Sequence, residues 1–243
     1  IFLRSTGIFK FSLFFIFLIE AFKANRIFFG DSNSYVYKAT KKIISYKLIL
    51  LDDGSSSLID KNKNHKRFSI FENNENKQSN SFKNLKKFII SKNKIKNPHS
   101  VIVGQNIVEL GIASKEKYLR FLNHALKTAN YTKIYIPHRY ELDSNLNIYK
   151  EELGLKIIEL RLPIELIEYE LDIELKEVYS LYSTAVFSLK NIYDQTSLYS
   201  YNLRKENLLN YNVRGNTVSD IEKIYKLIEA DTKIKLIELW INL

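Results

Sequence analysis

A chain of 243 residues, 45% of them apolar, can bury one large core or two small ones, which excludes disorder throughout. It contains no cysteine and only four scattered histidines, which excludes a disulfide framework, a thiolate metal site and a His/Cys ligand cluster. The formal net charge is +10, but Lys61 to Asn97 alone holds eleven Lys or Arg against two Glu, so the basic balance belongs to one segment rather than to the whole surface.

Residues 1–57 alternate helix-like and strand-like runs. Phe11–Ala24 reads as a helix. Its apolar core, Phe11–Ala21, is shorter than the ~20 residues a bilayer requires and carries Glu20, so a buried helix is expected rather than a span. Glu20, Phe22 and Lys23 offer no small-residue cleavage site after it. Asn25–Phe29 reads as a short strand, Val36–Ser45 as a helix, and Lys47–Leu51 as a buried strand running into Asp52-Asp53-Gly54. Residues 58–97 are basic and polar, with a short helix at Phe82–Ile90. Their composition suits an inter-domain connection, solvated or in peripheral contact with an anionic membrane.

The alternation resumes in residues 98–243. Strands are expected at Val101–Val103, Lys133–Ile136, Leu155–Leu160 and Ala185–Leu189, and helices at Lys115–Ala129, Pro163–Tyr169, Leu175–Tyr179 and Thr217–Ala230. Short buried strands separated by helices indicate an α/β protein with parallel sheets, here two Rossmann-like units joined by the basic segment.

Ligands of such sheets collect beyond the carboxyl ends of the strands. Asp52-Asp53-Gly54 follows one strand there. Successive residues of an extended chain face opposite sides, so one carboxylate, Asp53 in preference to Asp52, serves as a general base, or the trio is a solvated turn in which Gly54 permits the reversal. Gly104 and Gln105 follow a second strand. His138, between Pro137 and Arg139, follows a third, where an imidazole beside a fixed cation suits an anionic phosphate and can act as general acid, or is a surface turn histidine. Glu165 near a helix start can accept from a ribose diol or complement the helix dipole. Ser183 and Thr184 offer hydroxyls and backbone N–H groups to a phosphate, or cap a turn.

The order of these motifs (DDG, Val103-Gly104-Gln105, YIPHRYE, Pro163-x-Glu165 and YSTA) resembles the bacterial sialyltransferases, in particular the lipooligosaccharide sialyltransferase and capsular polysialyltransferase group. The resemblance spans Ile27 to Leu189. It implies a GT-B-like fold, with acceptor bound by the N-terminal unit and a CMP-sugar donor by the C-terminal unit. It further implies Asp53 as base, His138 as acid or phosphate contact, Glu165 as ribose ligand, and Ser183 with Thr184 as phosphate donors, with no cofactor and no metal. Here Pro137 precedes the histidine, whereas the family writes His-Pro. The first unit is shorter than the family's, and the chain starts at Ile1 without any methionine, so a fragment with a truncated acceptor unit is expected.

The expected partners are therefore CMP-sialic acid and a glycan acceptor, at a cytoplasmic location peripheral to the inner membrane; a homodimer stays open. Two other readings compete. A GT-B enzyme for a different nucleotide sugar would share the acid/base pair. A nucleic-acid module on Lys61–Lys96 is disfavoured, because Phe68, Phe71, Phe82 and Phe88 are few for base stacking and suit inward packing.

Overall fold

The computed structural model describes residues 8–30, 32, 34–51, 66–70, 77–79, 81–90, 96–203 and 218–239. Contacts divide them into two compact units, the described residues up to 79 and those from 81 onward.

The first unit runs α1 (Ile8–Lys23), β1 (Ile27–Phe29), α2 (Tyr35–Ile44), a 3-10 turn (Ser45–Lys47), β2 (Leu48–Leu51), β3 (Arg67–Ser69) and β4 (Lys77–Ser79). Its strands lie in the order β1-β2-β3-β4, all parallel. Ser34 starts α2 by accepting the Tyr37 N–H at 3.2 Å. Helical spacing then turns Tyr37, Thr40 and Ile44 inward. Tyr37 and Ile44 pack with Ala21, Ile27, Leu48 and Leu50, and the Phe29 ring meets Phe17 and Tyr37 edge to face at 6.0 and 5.3 Å.

The basic segment is more than a connection. Leu50 N–H bonds to Lys66 O at 2.9 Å, and β3 and β4 extend the first sheet. These strands are three residues each in a Lys/Asn-rich context, too short for a periodic signal.

The second unit comprises α3 (Lys83–Ile90), β5 (Asn97–Val103), α4 (Lys115–Thr128), β6 (Thr132–Ile136), α5 (Asp143–Leu153), a 3-10 turn (Ile164–Leu166), α6 (Ile167–Leu171), β7 (Ile173–Ser180), α7 (Ala185–Ile192), β8 (Ser197–Asn202), α8 (Val218–Glu229) and β9 (Ile234–Glu238). Its five strands are parallel in the order β6-β5-β7-β8-β9. Strands buried on both faces must be apolar throughout, and Val101, Ile102, Ile134 and Val178 are each at most 1% exposed. Phe121 of α4 packs on Tyr201 of β8 with centroids 5.2 Å apart. The buried Glu177 carboxylate ties three parts of the sheet together, accepting from Ser100 Oγ at 2.6 Å, Asn130 N at 3.0 Å and Tyr179 Oη at 3.0 Å.

Three expected elements change. Residues 175–179 are strand, not helix: Ile173, Leu175 and Glu177 point inward in alternation within β7, and the run continues fully buried to Ser180. Residues 185–189 are the first turns of α7, not a strand, because a short apolar run is buried in either form and only its Ser-Thr lead distinguishes them. Residues 155–160 pair only at Ile157, bridged to Tyr135. Among the described residues no helix is long and apolar enough to cross a membrane. The whole is a mixed α/β protein with two parallel sheets, Rossmann-like in character.

Candidate functional site

The chain leaves β5 toward β6 on one side and returns to β7 on the other, so the strand order reverses between β5 and β7. Connections diverge at such a switch point and open a crevice at the carboxyl ends. Gly104 and Gln105 stand there after β5, and Leu181 to Thr184 after β7. Gly104 N–H bonds to Ile136 O of β6 at 2.8 Å. Gln105 is buried and spans the reversal: its side-chain oxygen accepts from Leu181 N at 3.2 Å, and its own N–H donates to Tyr118 Oη at 2.9 Å. Its amide oxygen thus joins the ends of β5 and β7.

The turn after β6 carries Pro137, half-buried His138, exposed Arg139 and Tyr140, and then buried Glu141. Glu141 N–H closes the turn on His138 O at 2.9 Å. The Glu141 carboxylate accepts from His138 N–H and from Tyr135 Oη, both at 2.6 Å, and Tyr135 Oη lies 2.9 Å from Tyr118 Oη. A continuous chain of hydrogen bonds therefore runs from Gln105 to Glu141. Burial pushes the Glu141 carboxyl up to about 7, against the bonds from Tyr135 and His138 that favour its charged form. Gly104 has to be glycine for this packing, since a Cβ there would lie 2.5 Å from Tyr135 Oη and still closer to Glu141 Oε2.

Burial first, and then the neighbouring Arg139 guanidinium, lower the affinity of His138 for a proton; Glu109 acts weakly the other way. The imidazole is thus neutral near pH 7. Tyr140 N–H donates to its Nδ1 at 3.3 Å, which leaves the ring proton on Nε2 as a hydrogen-bond donor. Glu109 caps the start of α5, accepting from Leu142 N at 3.1 Å and Asn145 Nδ2 at 2.8 Å.

Ser183 and Thr184 end the β7 loop and open α7, rather than leading into a strand. Ser183 Oγ accepts from Ala185 N at 3.2 Å, and its carbonyl takes Val186 N–H at 3.4 Å. This position at the start of an eight-residue helix adds the helix dipole to the hydroxyls as an attraction for anions. Glu165 sits in the 3-10 turn against the same helix, where Ser188 Oγ donates to its Oε1 at 2.6 Å and Tyr193 Oη to its carbonyl at 3.0 Å.

Of the residues singled out in the sequence, Gly104, Gln105 and His138 share one hydrogen-bonded arrangement, with Pro137 and Arg139 on either side of His138 in its turn, and Gln105 links it to the loop bearing Ser183 and Thr184. Glu165 attaches to α7. Asp52, Asp53 and Gly54 follow β2 and lie outside the described residues. Glu141, Tyr135 and Tyr118 went unnoticed in the sequence. The signal was the His-x-x-Glu spacing in YIPHRYE, but a carboxylate just before a helix is ordinarily solvated. Among the described residues no group of three or more His, Asp or Glu is arranged to hold a metal ion. No family model matches the chain, and no curated protein matches it.

Proposed function

We propose that this chain is an inverting, metal-independent glycosyltransferase of GT-B type that moves sialic acid from CMP-sialic acid to a terminal sugar of a bacterial surface glycan. The observation that carries the reading is the meeting of Gly104-Gln105, the His138 turn and the Ser183-Thr184 helix start at the carboxyl edge of one parallel sheet, the edge at which such folds bind nucleotides. The motif order resembling sialyltransferases supplies the choice of sugar and donor.

In this reading the second unit holds CMP. The α7 start and Ser183 and Thr184 receive the phosphate, Glu165 the ribose, and neutral His138 donates its Nε2–H to the departing phosphate oxygen. Asp53 takes the acceptor hydroxyl proton, a bond forms from that oxygen to the anomeric carbon, and the bond from that carbon to the CMP oxygen breaks on the opposite face. The electron pair leaves with CMP. Hydrogen bonds to a leaving phosphate stabilise charge that develops in the transition state, so the step needs no metal. Calorimetric titration with CMP, CDP, UDP and GDP tests the reading. CMP should bind most tightly; preference for UDP or GDP would assign another nucleotide sugar, and no binding of any of the four would remove the glycosyltransferase reading.

A further inference from the structure

The hydrogen-bond chain that ends on Glu141 has a fixed direction. A backbone N–H only donates, and Tyr135 gives its proton to Glu141, so Tyr118 accepts from Gln105 N–H and donates to Tyr135. His138 N–H supplies the other carboxylate oxygen. Every donor points at Glu141, which satisfies them all only as a carboxylate. A proton added on Oε2 would oppose the His138 N–H. A proton on Oε1 would reverse both tyrosines, so that Tyr118 Oη accepted from Gln105 N–H and Tyr135 O–H at once and its own O–H lost its acceptor. Either way one buried donor is left unpaired.

We propose that ionised Glu141 is the positioning residue of this site: by holding His138 N–H and Tyr135 Oη together it fixes the His138 turn beside Gly104, and its protonation loosens that turn and weakens binding of a nucleotide phosphate. This rests on the nucleotide reading given above. The titratable and charged groups facing Glu141 are Tyr135 of β6, Tyr118 of α4, Tyr149 of α5, Glu109 of the turn after β5, and His138 of its own turn, where Arg139 acts on His138. Burial and Glu109 favour the protonated form, and the Tyr135 and His138 bonds favour the charged form. The balance at about 7 puts the change within reach of ordinary pH. The CMP phosphate also titrates in this region, and protonation of His138, which burial and Arg139 push to lower pH, strengthens anion binding, so variants must be compared with the wild type at each pH.

The test is calorimetric CMP binding between about pH 6 and about pH 8.5 for the wild type, Glu141→Gln and Tyr135→Phe, with the His138 imidazole resonances followed by NMR without CMP. Wild-type affinity should fall about tenfold as pH drops through the Glu141 transition, the worth of one hydrogen bond to a charged group. Glu141→Gln should bind weakly throughout and lack that transition. Tyr135→Phe removes a bond that favours the charged form, so its transition should move to higher pH, an effect that loss of packing alone does not produce. The same transition should perturb the His138 resonances near pH 7, vanish in Glu141→Gln and shift in Tyr135→Phe. His138 resonances without it, or with an identical one in both variants, overturn the proposal. If Glu141→Gln fails to fold, Tyr135→Phe alone decides. Absence of CMP binding to the wild type at every pH would remove the nucleotide reading, while the His138 resonances would still decide whether Glu141 positions the turn.

Discussion

At the scale of single residues, Glu141 links burial to pH. In the unfolded chain its carboxyl titrates near its ordinary value of 4.5, and in the folded protein at about 7. Its folded value is raised, so the stability it contributes is complete below the unfolded value. That stability is lost as pH climbs to about 7, because the unfolded chain releases its proton first. The expected loss is about 3 kcal/mol over that window, read as a falling urea midpoint that Glu141→Gln flattens. Gly104→Ala forces a methyl group into the space of the Tyr135 hydroxyl and the Glu141 carboxylate, and should cost about 1–3 kcal/mol in the same measurement. On the proposed function, Asp53→Asn should lower turnover by about 10²–10⁴ with CMP affinity unchanged, the usual worth of general acid–base catalysis. Asp52→Asn should be milder if, as the sequence pattern leads one to expect, the two neighbours face opposite ways. Normal turnover in both single variants and in the double variant would remove the base from the mechanism.

Elements give some of these residues a different meaning from the one their local sequence suggests. The helix that follows Ser183-Thr184 places the pair between the carboxyl end of β7 and the amino end of α7, where strand edge and helix dipole favour an anion together. Replacing Ser183 and Thr184 together by Ala should therefore weaken CMP binding by about 1–3 kcal/mol, with the fold verified by circular dichroism because Ser183 also caps the loop. Unchanged affinity in a folded double variant would move the phosphate elsewhere. Gln105 works at this scale too. It reads as a ligand contact in the sequence, yet its side-chain oxygen is engaged with Leu181 and holds two strand ends together across the reversal.

For the molecule as a whole, part of the basic segment serves the fold itself, which composition alone does not reveal. Lys96 has a side chain only 7% exposed, donating to Glu168 O at 2.8 Å beside Asp172, and Lys86 pairs with Asp194 at 3.2 Å. Those cations belong to the second unit's own structure. Lys83 and Lys87 are exposed on α3, and the membrane contact expected of the segment would fall to them. Changing both to Gln should weaken association with anionic vesicles at low salt by about tenfold or more, at about 1 kcal/mol per lysine, and leave CMP affinity as it was. Equal vesicle binding by the double variant would place any membrane contact on other residues.

The α/β class and the parallel sheets were legible from the sequence because KLILL, VIV and KIYI are continuous apolar runs flanked by helical periodicity, a pattern set by burial on both faces of a strand. The candidate positions Gly104, Gln105 and His138 were legible for the same reason, as residues that follow such runs. Helix against strand at residues 175–179 and 185–189 was not. A run that is buried all round carries no periodicity, so the neighbours it packs against decide its form. Strand order was equally silent, since the β5–β7 reversal is made by contacts between residues such as Ser100 and Glu177 that lie far apart along the chain. The ionisation of Glu141 depended most on tertiary structure: its value follows from burial and from partners brought by β6, α4, α5 and the turn after β5, and a carboxyl read alone in YIPHRYE carries none of that desolvation.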